Sequence, residues 1–254
     1  MKKIVLSLLL VSTAISAHAM DETQQNWTYS LGAFSHVSPD YMGSGDYKGS
    51  ISPFFNATYQ WDQHQNYFFI RSHEGIGVQT RLGQAIVGTS LGYRGGRERE
   101  ENTNLAGMHG VNETGTTNLF FRYGHNEYNG GINLSKGLSG DNNGLVISAN
   151  VGCNCKLSEK VTGSFSVGTA WADNTYMDDY FGVKTNEVTA NRTAYKGKKG
   201  ILNYGISAGL SYQLQEKQSI AISAGLSKIS KAQSSPIVAS DIQGRLSLGY
   251  IHSF

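Results

Sequence analysis

The most constraining feature of this sequence is a period of two. In one segment after another a bulky apolar residue alternates with a small polar one, the pattern of a strand with unlike faces. In residues 50–61, Ile51, Pro53, Phe55, Ala57, Tyr59 and Trp61 alternate with Ser52, Phe54, Asn56, Thr58 and Gln60. Residues 127–136 set Tyr128, Ile132 and Leu134 against Asn129, Gly131, Asn133 and Ser135. Residues 201–214 set Leu202, Tyr204, Ile206, Ala208, Leu210 and Tyr212 against Asn203, Gly205, Ser207, Gly209 and Ser211. The polar face is small rather than charged. A soluble sandwich shows charge to water, whereas a membrane barrel turns its apolar face to lipid and lines its interior with small polar groups.

The two ends of the chain agree with a barrel. Lys2 and Lys3 precede an apolar run from Ile4 to Val11, and Ala17-His-Ala19 places small residues at a cleavage site, so residues 1–19 read as a secretory signal peptide. The apolar run is shorter than the roughly 20 residues of a membrane helix. At the other end Leu246, Leu248, Tyr250, His252 and Phe254 share one strand face, and Ser247, Gly249, Ile251 and Ser253 the other. An alternating last strand that stops on Phe is similar to the assembly signal of bacterial outer-membrane barrels.

Composition narrows the partners. Taking Lys2 and Lys3 from 21 basic residues leaves 19 against 19 acidic ones, so the chain from Met20 has no net charge. It has no basic block, which argues against a nucleic-acid partner. Mean hydropathy is −0.32, and no second stretch approaches eighteen apolar residues, so a helical membrane bundle is excluded. With 31 Gly, 3 Pro and no linker, residues 20–254 read as a single domain.

Strands are expected near 27–38, 50–61, 66–72, 76–81, 85–94, 115–124, 127–137, 143–154, 159–170, 201–213, 218–229 and 241–254. This makes an all-β, antiparallel transmembrane barrel of twelve strands, with ten open because the third and fourth are shorter than the roughly 9 to 11 residues of a tilted membrane strand. With twelve, the short links at 62–65, 82–84, 125–126, 155–158 and 214–217 fall on the periplasmic side. The long ones at 39–49, 95–114, 138–142, 171–200 and 230–240 fall outside the cell. A barrel of this size lies between a side-chain-filled and a water-filled one, so its lumen is expected to be narrow or plugged.

Five motifs, Ser38-Pro-Asp-Tyr-Met-Gly-Ser44, Tyr93-Arg-Gly-Gly-Arg97, Leu138-Ser-Gly-Asp-Asn-Asn-Gly144, Trp171 through Val183, and Ser235-Pro-Ile-Val238, resemble in this order the MltA-interacting protein (MipA/OmpV) family of outer-membrane proteins. The resemblance implies a non-enzymatic outer-membrane barrel of a Gram-negative bacterium. It also implies a scaffold role in peptidoglycan synthesis and remodelling, with a lytic transglycosylase and a penicillin-binding protein as partners beside outer-membrane lipid and lipopolysaccharide. A narrow passive channel for small solutes and a surface adhesin are the alternatives. The periplasmic turns are short for a standard interface of roughly 800 Å² per partner.

No catalytic, cofactor or metal residue is assigned. Cys153 and Cys155, two apart on a strand, share a face with α-carbons about 6.5 to 7 Å apart, at or past the limit for an unstrained disulfide. They read as small apolar residues at the periplasmic rim, or as a disulfide if the strand ends early in an oxidising periplasm, or as a strained redox pair or soft-metal site. Histidines 36, 64, 73, 109, 125 and 252 show neither metal-ligand nor nucleophile spacing. Asp173, Asn174, Asp178 and Asp179 are either hard cation ligands or a solvated loop. The mixed-sign run Arg97 to Glu101 is expected to fold back on neighbouring loops or lipopolysaccharide. Arg122 and Arg245 are expected to look inward, tuning a pore or pairing with an interior acid.

Overall fold

The computed structural model describes residues 27–63 and 65–254. The signal-peptide reading of residues 1–19 and His64 lie outside the described residues.

Twelve antiparallel strands close into a barrel in which each pairs with its sequence neighbours and the last meets the first. They are β1 (Trp27–Pro39), β2 (Tyr47–Gln60), β3 (Asn66–Arg71), β4 (Gly75–Leu82), β5 (Ala85–Arg94), β6 (Thr114–His125), β7 (Tyr128–Gly137), β8 (Leu145–Lys156), β9 (Val161–Ala172), β10 (Gly200–Gln215), β11 (Gln218–Ile229) and β12 (Ile242–Ser253). The ring closes between β1 and β12, from Ser30 opposite Ser253 to Val37 opposite Leu246. The expected strand count holds, and each boundary lies within three residues of the expected one. Ten strands is corrected to twelve, because β3 and β4, though short, form their own ladder from Asn66 opposite Thr80 to Arg71 opposite Gly75.

The alternation in sequence becomes an alternation in exposure. Along β1, Leu31 and Val37 are exposed while Phe34 and His36 between them are buried. The outward face carries apolar residues on every long strand, among them Ile51, Leu91, Leu119, Val151, Leu210, Ile222 and Leu248. Exposed tyrosines rim this band: Tyr47, Tyr93 and Tyr204 toward the long loops, and Tyr29, Tyr123, Tyr128, Tyr212 and Tyr250, with half-buried Tyr59, toward the short turns. Aromatic rims around an apolar band are what a membrane-spanning barrel presents at its two interfaces.

Leu202 departs from its expected face. Strict alternation would send it to lipid with Tyr204, yet it is 3% exposed and packs inward. The β9–β10 register shifts between Ile201 and Asn203, so the extra residue of this bulge rotates Leu202 toward the barrel axis.

The long connections are not loose. Loop 173–199 contains helix α1 (Asn174–Phe181), and short 3₁₀ turns occupy Thr103–Leu105, Gly140–Asn142 and Thr185–Glu187. No helix among the described residues is long and apolar enough to cross a membrane.

Candidate functional site

Five long loops build a lid over one mouth of the barrel, and the lid is organised by α1. Asp173 caps the helix, its carboxylate accepting the Tyr176 N–H at 2.9 Å, and the helix stops at Gly182. Tyr176, Met177, Tyr180 and Phe181 share the buried face, and the two tyrosine rings stack 4.4 Å apart. They pack with Val111, Ala172, Leu202, Ile229 and Ala232, so one apolar core joins loops to strand ends. A second core joins Tyr41, Leu105, Met108, Val183 and Ile237, with Tyr195 touching both.

Buried polar groups stitch the loops together. The Tyr180 hydroxyl donates to the Gly95 carbonyl at 2.5 Å and accepts from Asn142 Nδ2 at 3.0 Å. Asn142 Nδ2 also reaches the carbonyls of Gly95 and Asn112. Arg97, 3% exposed, donates to the carbonyls of Tyr180 at 2.7 Å and His109 at 3.3 Å. Arg192 donates to the carbonyls of Asn104, Ala106 and Glu187. The Glu187 carboxylate takes the N–H groups of Lys184 and His109, with the His109 ring at 2.7 Å. Tyr41 and Ser235 close the remaining seams on the carbonyls of Ile237 and Phe181. The bonds of Arg97, Arg192 and Glu187 are charge-assisted, worth roughly 1.5 to 3 kcal/mol each, and leaving a buried partner unmade costs as much.

This enclosure shifts the lid's titrations. Burial pushes Tyr176 up to about 12, and burial with the neighbouring Tyr176 ring pushes Tyr180 up further. Burial also raises Tyr41. Burial alone would raise Glu187, but the N–H donors of Lys184 and His109 and the His109 side chain outweigh it and hold the carboxyl low. Burial raises Glu101 despite Lys48 at 3.1 Å.

Beneath the lid the barrel interior is two-sided. On β1 to β6, Phe34, Phe54, Phe69 and Phe120 project inward, and the wall makes room with glycine. A Cβ on Gly249 would stand 2.3 Å from the Phe34 ring, one on Gly77 2.5 Å from Phe69, and one on Gly88 2.3 Å from Phe120. Glu74 is clasped by Arg71 at 2.9 Å and Arg122 at 2.7 Å, each guanidinium lying over the ring of the phenylalanine two residues before it, Phe69 and Phe120. His36 Nδ1 lies 3.1 Å from Arg245 and 2.8 Å from Ser247, and Nε2 lies 2.8 Å from Ser52. Arginine only donates, so Nδ1 accepts and Nε2 carries the proton toward Ser52. On β8 to β11 the inward positions are Asn150, Gly152, Ser164, Ser166, Gly168, Gly205, Ser207, Gly209, Ser223 and Gly225, all half-buried. Inward residues near the lid, such as Ser90, Thr116, Ser135 and Gln243, are buried instead. The lumen is therefore a cup, closed at the long-loop end and open at the short-turn end, with its free space against β8 to β11.

The sequence-stated candidates separate cleanly. Arg122 and Arg245 do look inward, and Arg122 pairs with an interior acid. The Arg97 to Glu101 run folds back on neighbouring loops, through Arg97 in the lid core and Glu101 on Lys48. The solvated-loop reading of Asp173, Asn174 and Asp178 is corrected. They sit on or beside α1, where Asp173 caps it, Asn174 accepts the Lys199 N–H and Asp178 that of Gly197. Among the described residues no group of three His, Cys, Asp or Glu is placed to hold a metal. Cys153 and Cys155 are free thiols on the outward face at the short-turn rim, their sulfurs 3.8 Å apart. The histidines are dispersed: His36 in the lumen, His73 on the β3–β4 turn, His109 in the lid, His125 and His252 at the short-turn rim. Sequence reasoning missed Glu74, Glu187 and Arg192, and gave Tyr180 no role beyond its motif; spacing carried no sign of their distant partners, 48 to 88 residues away.

The five motifs that looked like separate loop signatures meet here. Tyr41, Arg97, Asn142, the Tyr176 to Val183 stretch and Ser235 to Val238 are the residues that hold the lid shut.

Among solved structures the chain is similar to an outer membrane channel from Pseudomonas putida F1, with 12% identity over 90% of this chain and 96% of that one and a TM-score of 0.51. It is also similar to a bacterial polysaccharide outer membrane secretin, at 8% identity, 92% and 99% coverage and a TM-score of 0.48. NanC porin matches at 13% identity, 88% and 100% coverage and a TM-score of 0.47. The first of these shares the outer-membrane barrel fold. None of the curated proteins compared matches the chain in sequence. A family model described as MltA-interacting protein MipA matches residues 31–254, and the chain belongs to that family.

Proposed function

We propose that this outer-membrane barrel works as a non-enzymatic interaction protein that holds a lytic transglycosylase, and with it a penicillin-binding protein, at sites of peptidoglycan remodelling. In this reading residues 1–19 are removed on export, the short turns face the periplasm and the lid faces outward. The observation that carries it is the closed lid. A mouth covered by two apolar cores and by buried Arg97, Arg192 and Glu187 argues against passive flow through it. The short turns alone offer far less than the roughly 800 Å² per partner of a standard interface. A periplasmic partner therefore has to use the cup as well, inserting a segment against Ser166, Ser207 and their neighbours.

The polar, small-residue side of the lumen favours a second reading, a narrow solute channel whose lid opens. Two measurements separate them. The intact protein in a planar bilayer is expected to give no steady conductance, and a photo-crosslinker at Ser166 or Ser207 in living cells is expected to capture a lytic transglycosylase. Steady conductance with no captured partner would move the assignment to the channel.

A further inference from the structure

We infer that the barrel wall has a side window above the β3–β4 hairpin, and that it admits small aromatic molecules bearing a hydrogen-bonding group, of the phenol class, from the surrounding membrane into the lumen. The inference does not depend on the scaffold reading.

The window follows from strand lengths and register. β3 pairs with β2 only from Asn56 to Gln60, and the hairpin turns back at Ser72 to Glu74. β2 continues upward through Phe54 to Tyr47, eight residues or about 27 Å of strand, while β5 rises past the hairpin only from Gly92 to Arg94. β2 and β5 do not pair. The free side of β2 is identifiable. Phe55 exchanges bonds with Ser72, so residues of its parity, Pro53, Ile51 and Gly49, turn their backbone groups away from β1. Among the described residues nothing within the chain bonds to those groups. Pro53 sits where a sheet tolerates proline, its missing N–H on the open edge. Ile51 on this edge is 73% exposed, more than any other large apolar residue on the barrel, and Ser50 is exposed although its side chain points inward.

The window's position and lining select the visitor. It lies on β2 between Tyr47 and Tyr59, the residues of that strand at the two aromatic rims, and so at membrane depth. Free backbone groups at that depth persist only where they face protein or a polar cavity, so this edge offers hydrogen bonds to something that is not a lipid tail. The outer lip is Ile51, Pro53 and Phe55; the inner sill is Phe54, with the His73 ring 6.3 Å from it and the Phe34 ring 5.7 Å. The charges behind the sill are occupied with one another, Arg71 and Arg122 on Glu74. Above, the Lys48–Glu101 pair and Asn102 on Asp40 and Asp46 tie loop 95–113 across the top. An aromatic body with one polar group matches a rim of free N–H and C=O beside aromatic rings.

The test uses tryptophan quenching in phosphatidylcholine vesicles, with Trp27, Trp61 and Trp171 replaced by Phe. Three reporters are compared: Phe54→Trp on the sill, Phe120→Trp inside an intact stretch of wall, and Ile51→Trp on the lipid side, whose quenching by chain-brominated lipid shows that the barrel is folded and inserted. Chain-brominated lipid and 4-bromophenol are each expected to quench Phe54→Trp at least twofold more than Phe120→Trp. Equal protection of Phe54→Trp and Phe120→Trp from brominated chains would mean a closed wall and overturn the proposal. So would quenching of Phe54→Trp by aqueous iodide but not by 4-bromophenol.

Discussion

At the scale of single residues, the interior is made possible by what is missing. Phe120 fits into the wall because Gly88 opposite has no side chain; a Cβ there would lie 2.3 Å from the ring and 2.7 Å from the Val78 carbonyl. The ring can tilt but the carbonyl cannot, so Gly88→Ala is expected to destabilise the barrel by about 1 to 3 kcal/mol. The midpoint of urea unfolding in lipid vesicles reads this out, and an unchanged midpoint would show that the ring has slack. None of this pairing was legible beforehand. Glycine and serine at inward positions announced only a small polar face, and which glycine faces which ring depends on cross-strand register. Arg122 and Arg245 were legible as inward residues because parity alone decides that. The partner of Arg122, Glu74, was not, since it sits in a turn where parity stops.

At the scale of elements, strands were easy to read and the lid was not. A strand in a membrane wall has two unlike environments, and the period-two pattern records them directly. Helix α1 is eight residues long, mostly polar, and embedded in a connection. Its sign was the Asp173 cap followed by Tyr176, Met177, Tyr180 and Phe181, adjacent pairs four residues apart. Leu202 was misread because a bulge breaks the period where strand becomes lid. Lid and wall should part company at alkaline pH. Tyr41, Tyr176 and Tyr180 are held above the ordinary tyrosine value near 10, so the protonated, buried form contributes stability that is complete below pH about 10 and is lost as pH rises, for Tyr176 through about 12. Limited proteolysis is expected to cut loop 173–199 in that window while far-ultraviolet circular dichroism still shows an intact barrel. Loss of both together would mean that the lid does not open independently.

At the scale of the whole molecule, the closed mouth and the open cup make a testable pair. Removing residues 174–199 and joining the ends of β9 and β10 by a short glycine-serine link takes away α1 with Tyr176, Met177, Tyr180 and Phe181 of the first apolar core and Val183 of the second, but no strand. The shortened protein is expected to conduct steadily in a planar bilayer, at least tenfold above the intact one, through the space beside β8 to β11. A silent variant would mean that the inward phenylalanines and the Arg71–Glu74–Arg122 clasp seal the lumen without the lid. The strand count was legible at this scale because loop lengths had to alternate. The cup was not, since closure depends on five distant loops meeting.

The seam between β1 and β12 pairs Ser30 with Ser253, residues separated by nearly the whole described chain. Strands β2 to β11 find both their neighbours close by in sequence, but β1 waits for the twelfth. Until it arrives, the growing sheet carries two raw edges of the kind that recruit other chains. Ring closure spans a long loop and pays its entropy late, which makes assembly slow and all-or-none. The chain is thus a client by construction: it needs an escort during transit, and once the seam zips, the same long-range closure makes the barrel slow to come apart.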